Sequence, residues 1–274
     1  MARTRTNSAV FLSFTGLLVV ATAASLAFSW PWLHEVARRQ SVQLTSDAQS
    51  ATPIEAEADF HLAVWLDRTN QPASLGLARA QLASGQAEAA LATLRLAGQG
   101  SEVASLSLRT QLELGHNLAA VEAVPALLTQ GAKDEAIILA ALAYAQAGQT
   151  SSIPALNSLV SSPGALQHLS RISAGQLALA EELYVNGLPD SSNRLLKTLP
   201  TSFERNLLLA HIAVDRHATS ELAAATSYLT EAISLNPADA STHQFLSQVY
   251  AERGLSAEAT GQAALASKLL NGRP

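Results

Sequence analysis

The feature that most constrains this chain is a helical hairpin pattern that recurs every 30 to 39 residues. Its clearest copy lies between Tyr228 and Ala259, where two apolar stripes at helical spacing are separated by Gly254. A glycine just past a helix adopts the left-handed conformation without a steric penalty, so it ends one helix and begins the turn into the next. Matching turns are expected at Gly85, Gly115, Gly148, Gly187 and Ser220. Six hairpins then cover about residues 71–267.

The hairpin around Gly254 has large and small side chains at fixed spacings, namely Leu246, Ser247, Tyr250, Gly254 and Ala259, and the preceding unit closes with Ala225, Leu229, Ala232 and Pro237. This pattern resembles the tetratricopeptide repeat, in which large and small side chains have fixed positions on two helices and a proline closes the unit. His243 stands where the family has tryptophan. The resemblance implies an all-α fold, with an α-solenoid of about six hairpins over residues 59–274. An irregular all-helical domain is the alternative. The longest interval contains residues 161–164, Ser-Ser-Pro-Gly, which we expect to form a loop insertion.

The composition agrees with closely packed helices and argues against several classes of partner and site. Alanine, the best helix former, is abundant, and aromatic residues make up only 5%. A net charge of -5 with three lysines provides no basic field for a phosphate backbone, so no nucleic-acid partner is expected. The chain has no cysteine, which removes disulfides, cysteine-based zinc sites and cysteine nucleophiles.

The N-terminal region contains a candidate membrane anchor. A short basic N-terminus, residues 1–8, precedes a 22-residue apolar run that ends at Trp30. Such a run makes about 33 Å of helix, enough to cross a bilayer, and tryptophans at its end favour the interface. We therefore predict a transmembrane helix or uncleaved signal anchor over residues 9–33. The alternative is a signal peptide cleaved near Ala23, which would leave a secreted or periplasmic protein.

The region after the anchor is expected to be a linker. Residues 34–58 are rich in Ser, Thr, Gln and Ala and show no sustained apolar period. Two arginines before the anchor and two soon after it nearly balance, and the amino terminus adds one positive charge. The positive-inside rule then places the N-terminus in the cytoplasm and the repeat domain outside it. The chain would thus be a single-pass membrane protein.

Motifs of enzyme chemistry are absent from the sequence. The seven histidines are scattered, and no metalloprotease, phosphate-binding or nucleophile-elbow motif occurs. His211 and Asp215 lie four residues apart and are expected to form a modest pair. Neighbouring residues point about 100° apart on a helix, so Glu181 and Glu182 are expected to be ordinary surface charges. We predict no catalytic, metal or cofactor site.

The resemblance implies a concave groove lined by the first helix of each hairpin, which suits an extended peptide or an amphipathic helix of a protein partner. The matching positions are Glu102, Ser105, Arg109, Glu135, Ile138, Leu142, Leu177, Glu181, Tyr184, Leu207, Val214, His217, Ser241, Gln244 and Gln248. No Lys/Arg/Asn clamp for a C-terminal carboxylate is evident among them. We expect a membrane-anchored scaffold or adaptor that serves envelope assembly, secretion or export. The alternatives are an exported enzyme or transport component with a site between repeats, and a structural spacer.

Overall fold

The structure is a computed structural model that describes residues 32–50, 52–129 and 133–272. These residues form α-helices and one 3-10 turn, with no strand among them, which confirms the all-α fold class. The chain divides into two compact units, one ending at Gln99 and the other beginning at Gly100. The predicted anchor lies, apart from residues 32–33, outside the described residues. Within the described ranges, no helix is long and apolar enough to cross a membrane.

The first unit contains four helices, which are α1 (32–48), α2 (Pro53–Leu66), α3 (Gln71–Ala83) and α4 (Ala87–Leu96). The second unit contains α5 (Ser101–Leu114), α6 (Asn117–Thr129), α7 (Asp134–Gln146), α8 (Ile153–Leu156), α9 (Pro163–Ala174), α10 (Gln176–Val185), α11 (Pro189–Thr198), α12 (Phe203–Asp215), α13 (Thr219–Leu235), α14 (Ala240–Glu252) and α15 (Ser256–Asn271). The 3-10 turn, Thr150–Ser152, precedes α8.

In the first unit, α1 occupies most of the segment 34–58 that the sequence predicted as a linker. Ser41 and Thr45 on α1 are buried, and both accept hydrogen bonds from Asn70 Nδ2, at 2.7 and 3.0 Å. Ala48 is also buried, in a small core with side chains of α2 and α3. The small polar residues that suggested an exposed linker instead hydrogen-bond across a helix interface. The structure therefore differs from the prediction, because this segment is part of the packed unit.

The turns predicted from the repeat spacing are confirmed at five positions and wrong at the sixth. Five glycines between the paired helices have φ angles of 72° to 77°, namely Gly85, Gly115, Gly148, Gly187 and Gly254. Ser220 is not a turn residue, since α13 begins at Thr219. The left-handed residue between α12 and α13 is His217, with φ 50°. Histidine adopts this conformation more readily than most side chains do, which explains how the turn forms without glycine.

The centre of the second unit is α7, which is buried on almost every side. Residues 136–143 of this helix are all buried, and a helix that is apolar all round must be enclosed by others. Helices α5, α6, α8, α9 and α10 pack around it, and α11 returns to contact α5. In a simple solenoid each hairpin contacts only its neighbours. The described helices remain consistent with a helical solenoid, with this one additional contact between hairpins two apart; we call the part from α5 to α11 the α7 bundle.

The α7 bundle departs from a regular array at the predicted loop insertion, residues 161–164. The second helix of that hairpin, α8, has only four residues. Ser162 then caps a new helix, α9, by accepting a hydrogen bond from the Ala165 amide at 3.2 Å, and Pro163 occupies its first turn. Residues 161 and 162 are thus in a loop as predicted, whereas residues 163 and 164 begin α9, which packs one face against α7 and α10.

The last four helices pack in sequence, α12 on α13, α13 on α14 and α14 on α15. Their core includes Leu222, Leu229 and Leu246. His243, which stands where the family has tryptophan, is buried. Its Nδ1 lies 2.7 Å from Gln262 Oε1 and its Nε2 lies 3.2 Å from the Pro237 carbonyl oxygen. The histidine thus ties α14 both to α15 and to the end of the preceding hairpin.

Candidate partner-binding face

The first helices of the last three hairpins, α10, α12 and α14, are joined by side chains that reach between them. Tyr184 on α10 donates a hydrogen bond from its hydroxyl to Asp215 Oδ2 on α12, at 2.5 Å. One turn earlier on α12, the His211 ring stacks on the Phe245 ring of α14, with centroids 4.4 Å apart and planes 24° apart. We call Tyr184, His211, Asp215 and Phe245 the aromatic cluster. It links three consecutive first helices along one face.

The electrostatics of the aromatic cluster keep two of its groups neutral. Partial burial, reinforced by the hydrogen bond and charge of Asp215, raises the pKa of Tyr184 to about 12, so its hydroxyl stays protonated and donates. Burial lowers the pKa of His211, and the Asp215 charge opposes this shift only in part. The imidazole is therefore neutral at pH 7. The cluster presents two aromatic surfaces, a neutral imidazole and one carboxylate.

Most of the predicted groove residues on these three helices share the face of the aromatic cluster, because they lie three, four or seven positions from its members. Those that are exposed or half-buried are Leu177, Glu181, Tyr184, Leu207, Val214, Ser241, Gln244 and Gln248. His217 is exposed but belongs to the α12–α13 turn. The sequence predicted a pair between His211 and Asp215, but Asp215 accepts from Tyr184 and acts on His211 only through its charge. Neither of these two residues, nor Phe245, was among the predicted groove residues. Their spacing from Leu207 and Gln248 on the same helices was the available signal.

The predicted groove is interrupted on α7. Ile138 and Leu142 are 7% and 0% exposed, because α7 lies at the centre of its bundle. They belong to the core and cannot line a solvent-filled groove. Arg109 on α5 lies 3.4 Å from a carboxylate oxygen of Glu135, and both side chains remain accessible. Glu102 is exposed and Ser105 is half-buried on α5.

Glu182 differs from the surface charge that the sequence predicted. It is only 1% exposed, and its carboxylate lies 2.6 Å from His168 Nδ1 and 2.8 Å from Arg171 Nε. Arg171 also contacts Glu181 at 2.6 Å, so the two neighbouring carboxylates converge on one guanidinium. His168 and Arg171 lie on α9, the helix that the sequence analysis had not predicted. This ion-pair cluster fastens α9 to α10, and its members are occupied with one another.

Across the described ranges, no group of three or more His, Asp or Glu side chains is placed to hold a metal ion.

No protein-family model and no curated protein sequence matches this chain. Solved structures resemble it at low identity. The human IFIT1 dimer with PPP-AAAA is 14% identical, over 73% of this chain and 50% of that chain, with a TM-score of 0.35. A tetratricopeptide repeat protein from Parabacteroides merdae is 14% identical, over 87% and 93% of the two chains, with a TM-score of 0.38. The APC/C hetero-tetramer Cut9-Hcn1 is 15% identical, over 87% and 47%, with a TM-score of 0.33. This chain thus spans about half the length of the matched IFIT1 and Cut9-Hcn1 chains.

Proposed function

We propose that this chain is a membrane-anchored scaffold or adaptor, built from tetratricopeptide-like hairpins, that binds a protein partner on the face formed by α10, α12 and α14. The observation that carries the proposal is the continuity of the aromatic cluster across three helices. Aromatic side chains with polar tips supply large contact areas together with hydrogen bonds, and they are enriched among residues that dominate protein interfaces. A face of this kind suits recognition of a partner more than it suits catalysis.

The chemistry of the face favours an amphipathic helix or an extended segment as the ligand. Gln244 and Gln248 offer exposed amides one turn apart, and Leu207 and Val214 add a half-buried apolar edge. Asp215 contributes a carboxylate that would accept a hydrogen bond from a donor or cation on the partner. The net charge of -5 favours a protein ligand over a nucleic acid. The high pKa of Tyr184 opposes its use as a base or nucleophile at neutral pH, which supports a binding role without an enzymatic one.

Site-specific photo-crosslinking tests this face. A photoreactive residue at Gln244 on α14 is compared with one at Thr230, which is exposed on α13 outside the face. We expect discrete protein adducts in the native host from Gln244 only, and we expect the paired changes His211→Ala and Phe245→Ala to remove them. A titration of the identified partner against the purified chain then measures the affinity. Equal adducts at both positions would show that the face has no special role.

The proposal has three further parts. Residues 9–33 anchor the chain in a membrane, the repeats lie outside the cytoplasm, and the protein serves envelope assembly, secretion or export. The absence of cysteine makes the side testable by thiol labelling. Ser46 on α1 is exposed and suits the experiment, whereas Thr45 is buried. We expect Ser46→Cys to react with a membrane-impermeant reagent in intact cells. Reaction only after lysis would place the repeats in the cytoplasm, and the mass of the protein would reveal cleavage near Ala23.

A further inference from the structure

The first unit has two chemically unlike ends. Ser41 Oγ donates to the Ala63 carbonyl at 2.8 Å, and Ala48 shares a core with Ala56, so α1 and α2 run antiparallel. Gln71 at the start of α3 donates to the carbonyl of Ala97, just past α4, at 3.2 Å. The start of α1, the end of α2, the start of α3 and the end of α4 therefore lie at one end of the unit.

Large apolar side chains are exposed at this end. Trp32 on α1 is 65% exposed, Trp65 at the end of α2 is 70% exposed, and Leu96 at the end of α4 is 75% exposed. Burial of such side chains is favourable, and tryptophan in particular prefers the interface between water and lipid. The three helices thus each place an uncovered apolar group at the same end of the unit.

Positive charge accompanies these apolar groups. Arg38, Arg68 and Arg95 are exposed at the same end, and none of them forms an ion pair within the part of the chain that the structure describes. The nearby acids are engaged locally, since Glu35 pairs with Arg39 at 2.9 Å and Asp67 accepts two hydrogen bonds from Thr69. The opposite end of the unit carries Asp47, Glu57 and Glu88 instead. The first end thus has an excess of positive charge, which is complementary to an anionic surface.

The position of the apolar N-terminal run identifies what this end would meet. The run ends at Trp30, two residues before the first described residue of α1. Nine residues separate Trp32 from Ser41, so the start of α1 lies about 13 Å beyond the contact with α2. A helix that emerges from a bilayer is commonly tilted by about 20° or more, and such a tilt lowers one side of the unit toward the lipid. Beyond Trp32 itself, Trp65 and the arginine side chains at this end are then brought toward the lipid.

We propose that this end of the first unit rests on an anionic lipid surface, with Trp65 and Leu96 among the headgroups and Arg38, Arg68 and Arg95 against lipid phosphates. The inference rests on the proposed anchor, which would deliver the unit to the bilayer. Contact at this end fixes the first unit against the membrane, in addition to the tether that the anchor provides.

The three tryptophans of the chain permit a direct test on the full-length protein. The double change Trp30→Phe and Trp32→Phe leaves Trp65 as the single fluorophore. In the matched control, Trp65→Phe is added and Gln86→Trp places the fluorophore at an exposed position of the opposite end. Both proteins are reconstituted into vesicles of phosphatidylcholine and phosphatidylglycerol that contain brominated acyl chains. We expect the bromines to quench the fluorescence of Trp65 several-fold more than that of the control tryptophan. This difference in quenching should fall when phosphatidylglycerol is omitted or when Arg68→Gln and Arg95→Gln are introduced.

The outcomes separate the surface from the anchor. Failure of the full chain to float with vesicles would overturn both proposals. Flotation with equal quenching of the two tryptophans would leave the anchor standing and overturn the lipid contact alone. A Trp65 that is shielded from bromine and also from acrylamide in solution would mean that protein, either a second copy or a partner, covers this end, and that result too would overturn the lipid contact.

Discussion

The second unit packs helical hairpins in two different ways. In the α7 bundle, helices surround α7, and α11 returns to α5 from about 80 residues away. From α12 to α15 each helix packs on the next, and α12 and α14 keep exposed and half-buried residues on their common face. The same hairpin pattern therefore yields a core helix where neighbours enclose it and an accessible face where they do not. The candidate binding face begins on α10, a bundle helix that keeps half-buried residues such as Tyr184, and continues on α12 and α14.

The contact between α11 and α5 supplies hydrogen-bond donors to the carbonyl groups in the last turn of α5. Ser191 Oγ and Arg194 Nη2 on α11 donate to the Leu112 carbonyl at 2.6 and 2.7 Å, and Arg194 Nη1 donates to the Glu113 carbonyl at 2.7 Å. Carbonyls in the last turn of a helix have no partner within it, and a cation there is also favourable to the helix dipole. We call Glu113, Ser191 and Arg194 the α5–α11 latch. It supplies the long-range bonds that a simple stack of hairpins lacks.

The largest expected effect is a difference in stability between core changes on α7, whose first-helix groove positions are buried, and changes at accessible positions of α14. Leu142→Ala on α7 should lower the free energy of unfolding by about 2–5 kcal/mol, because the side chain is fully enclosed and its removal leaves a cavity. Gln248 occupies the equivalent groove position on α14, and Gln248→Ala should change the free energy of unfolding by less than about 0.5 kcal/mol. Urea unfolding measures both. Similar small losses would mean that α7 is as accessible as α14 and that the bundle does not close.

The latch gives the closed region a pH dependence centred on Glu113. Burial, with the charge of Asp190, raises the pKa of Glu113 from 4.5 to about 7, against the opposing effects of the Ser191 amide and Arg194. The carboxyl is therefore harder to ionise in the folded chain than in the unfolded one. Its contribution to stability is full below pH 4.5 and is lost as the pH rises through about 7, by on the order of 3 kcal/mol for such a shift.

Glu113→Gln isolates this contribution, because it keeps an oxygen for the Ser191 amide and cannot ionise. We expect the variant to gain stability relative to the wild type between pH 4.5 and about pH 8, with most of the gain complete once the wild-type carboxyl is charged. Glu181→Gln, a change of charge on a partly accessible side chain, serves as the control. A difference between wild type and Glu113→Gln that stays constant with pH would contradict the raised pKa.

A smaller effect on stability is expected for the ion-pair cluster that joins α9 to α10. Glu182→Gln removes the charge that His168 and Arg171 both contact, and a polar group that loses such partners costs about 1–3 kcal/mol. Glu181→Gln removes a more accessible carboxylate from the same arginine and should cost less than about 1 kcal/mol. Equal losses of unfolding free energy for the two variants in urea would mean that Glu182 behaves as the surface charge that the sequence predicted.

The features that the sequence predicted well are the local ones. Glycines such as Gly115 and Gly187 mark turns because a positive φ is a property of one residue, whatever packs around it. The turn at His217 was misplaced to Ser220 because the spacing of repeats alone, without a glycine, does not identify which residue turns. The all-α class followed from the same local signals.

The features that the sequence missed depend on contacts between distant elements. Ser41 and Thr45 looked like linker residues, and only their bonds to Asn70 make them part of a core. Glu182 looked like a surface charge because its partners lie on α9, a helix that the repeat spacing did not predict. The burial of Leu142 follows from the packing of α5, α6, α9 and α10 around α7. Repeat spacing therefore identified the hairpins, and tertiary closure decided which of them present a face.

The smallest expected effect on stability concerns the accessible face itself. Tyr184→Phe removes the hydroxyl that donates to Asp215 and leaves the ring in place, so the free energy of unfolding should fall by only about 0.5–1.5 kcal/mol. The same change should weaken crosslinking from Gln244, because it breaks the link between α10 and α12 within the aromatic cluster. Thr230→Ala on α13 should alter neither quantity. If Tyr184→Phe left the crosslinking yield unchanged while lowering stability as expected, the hydrogen bond would serve folding alone, and the binding face would be confined to α12 and α14.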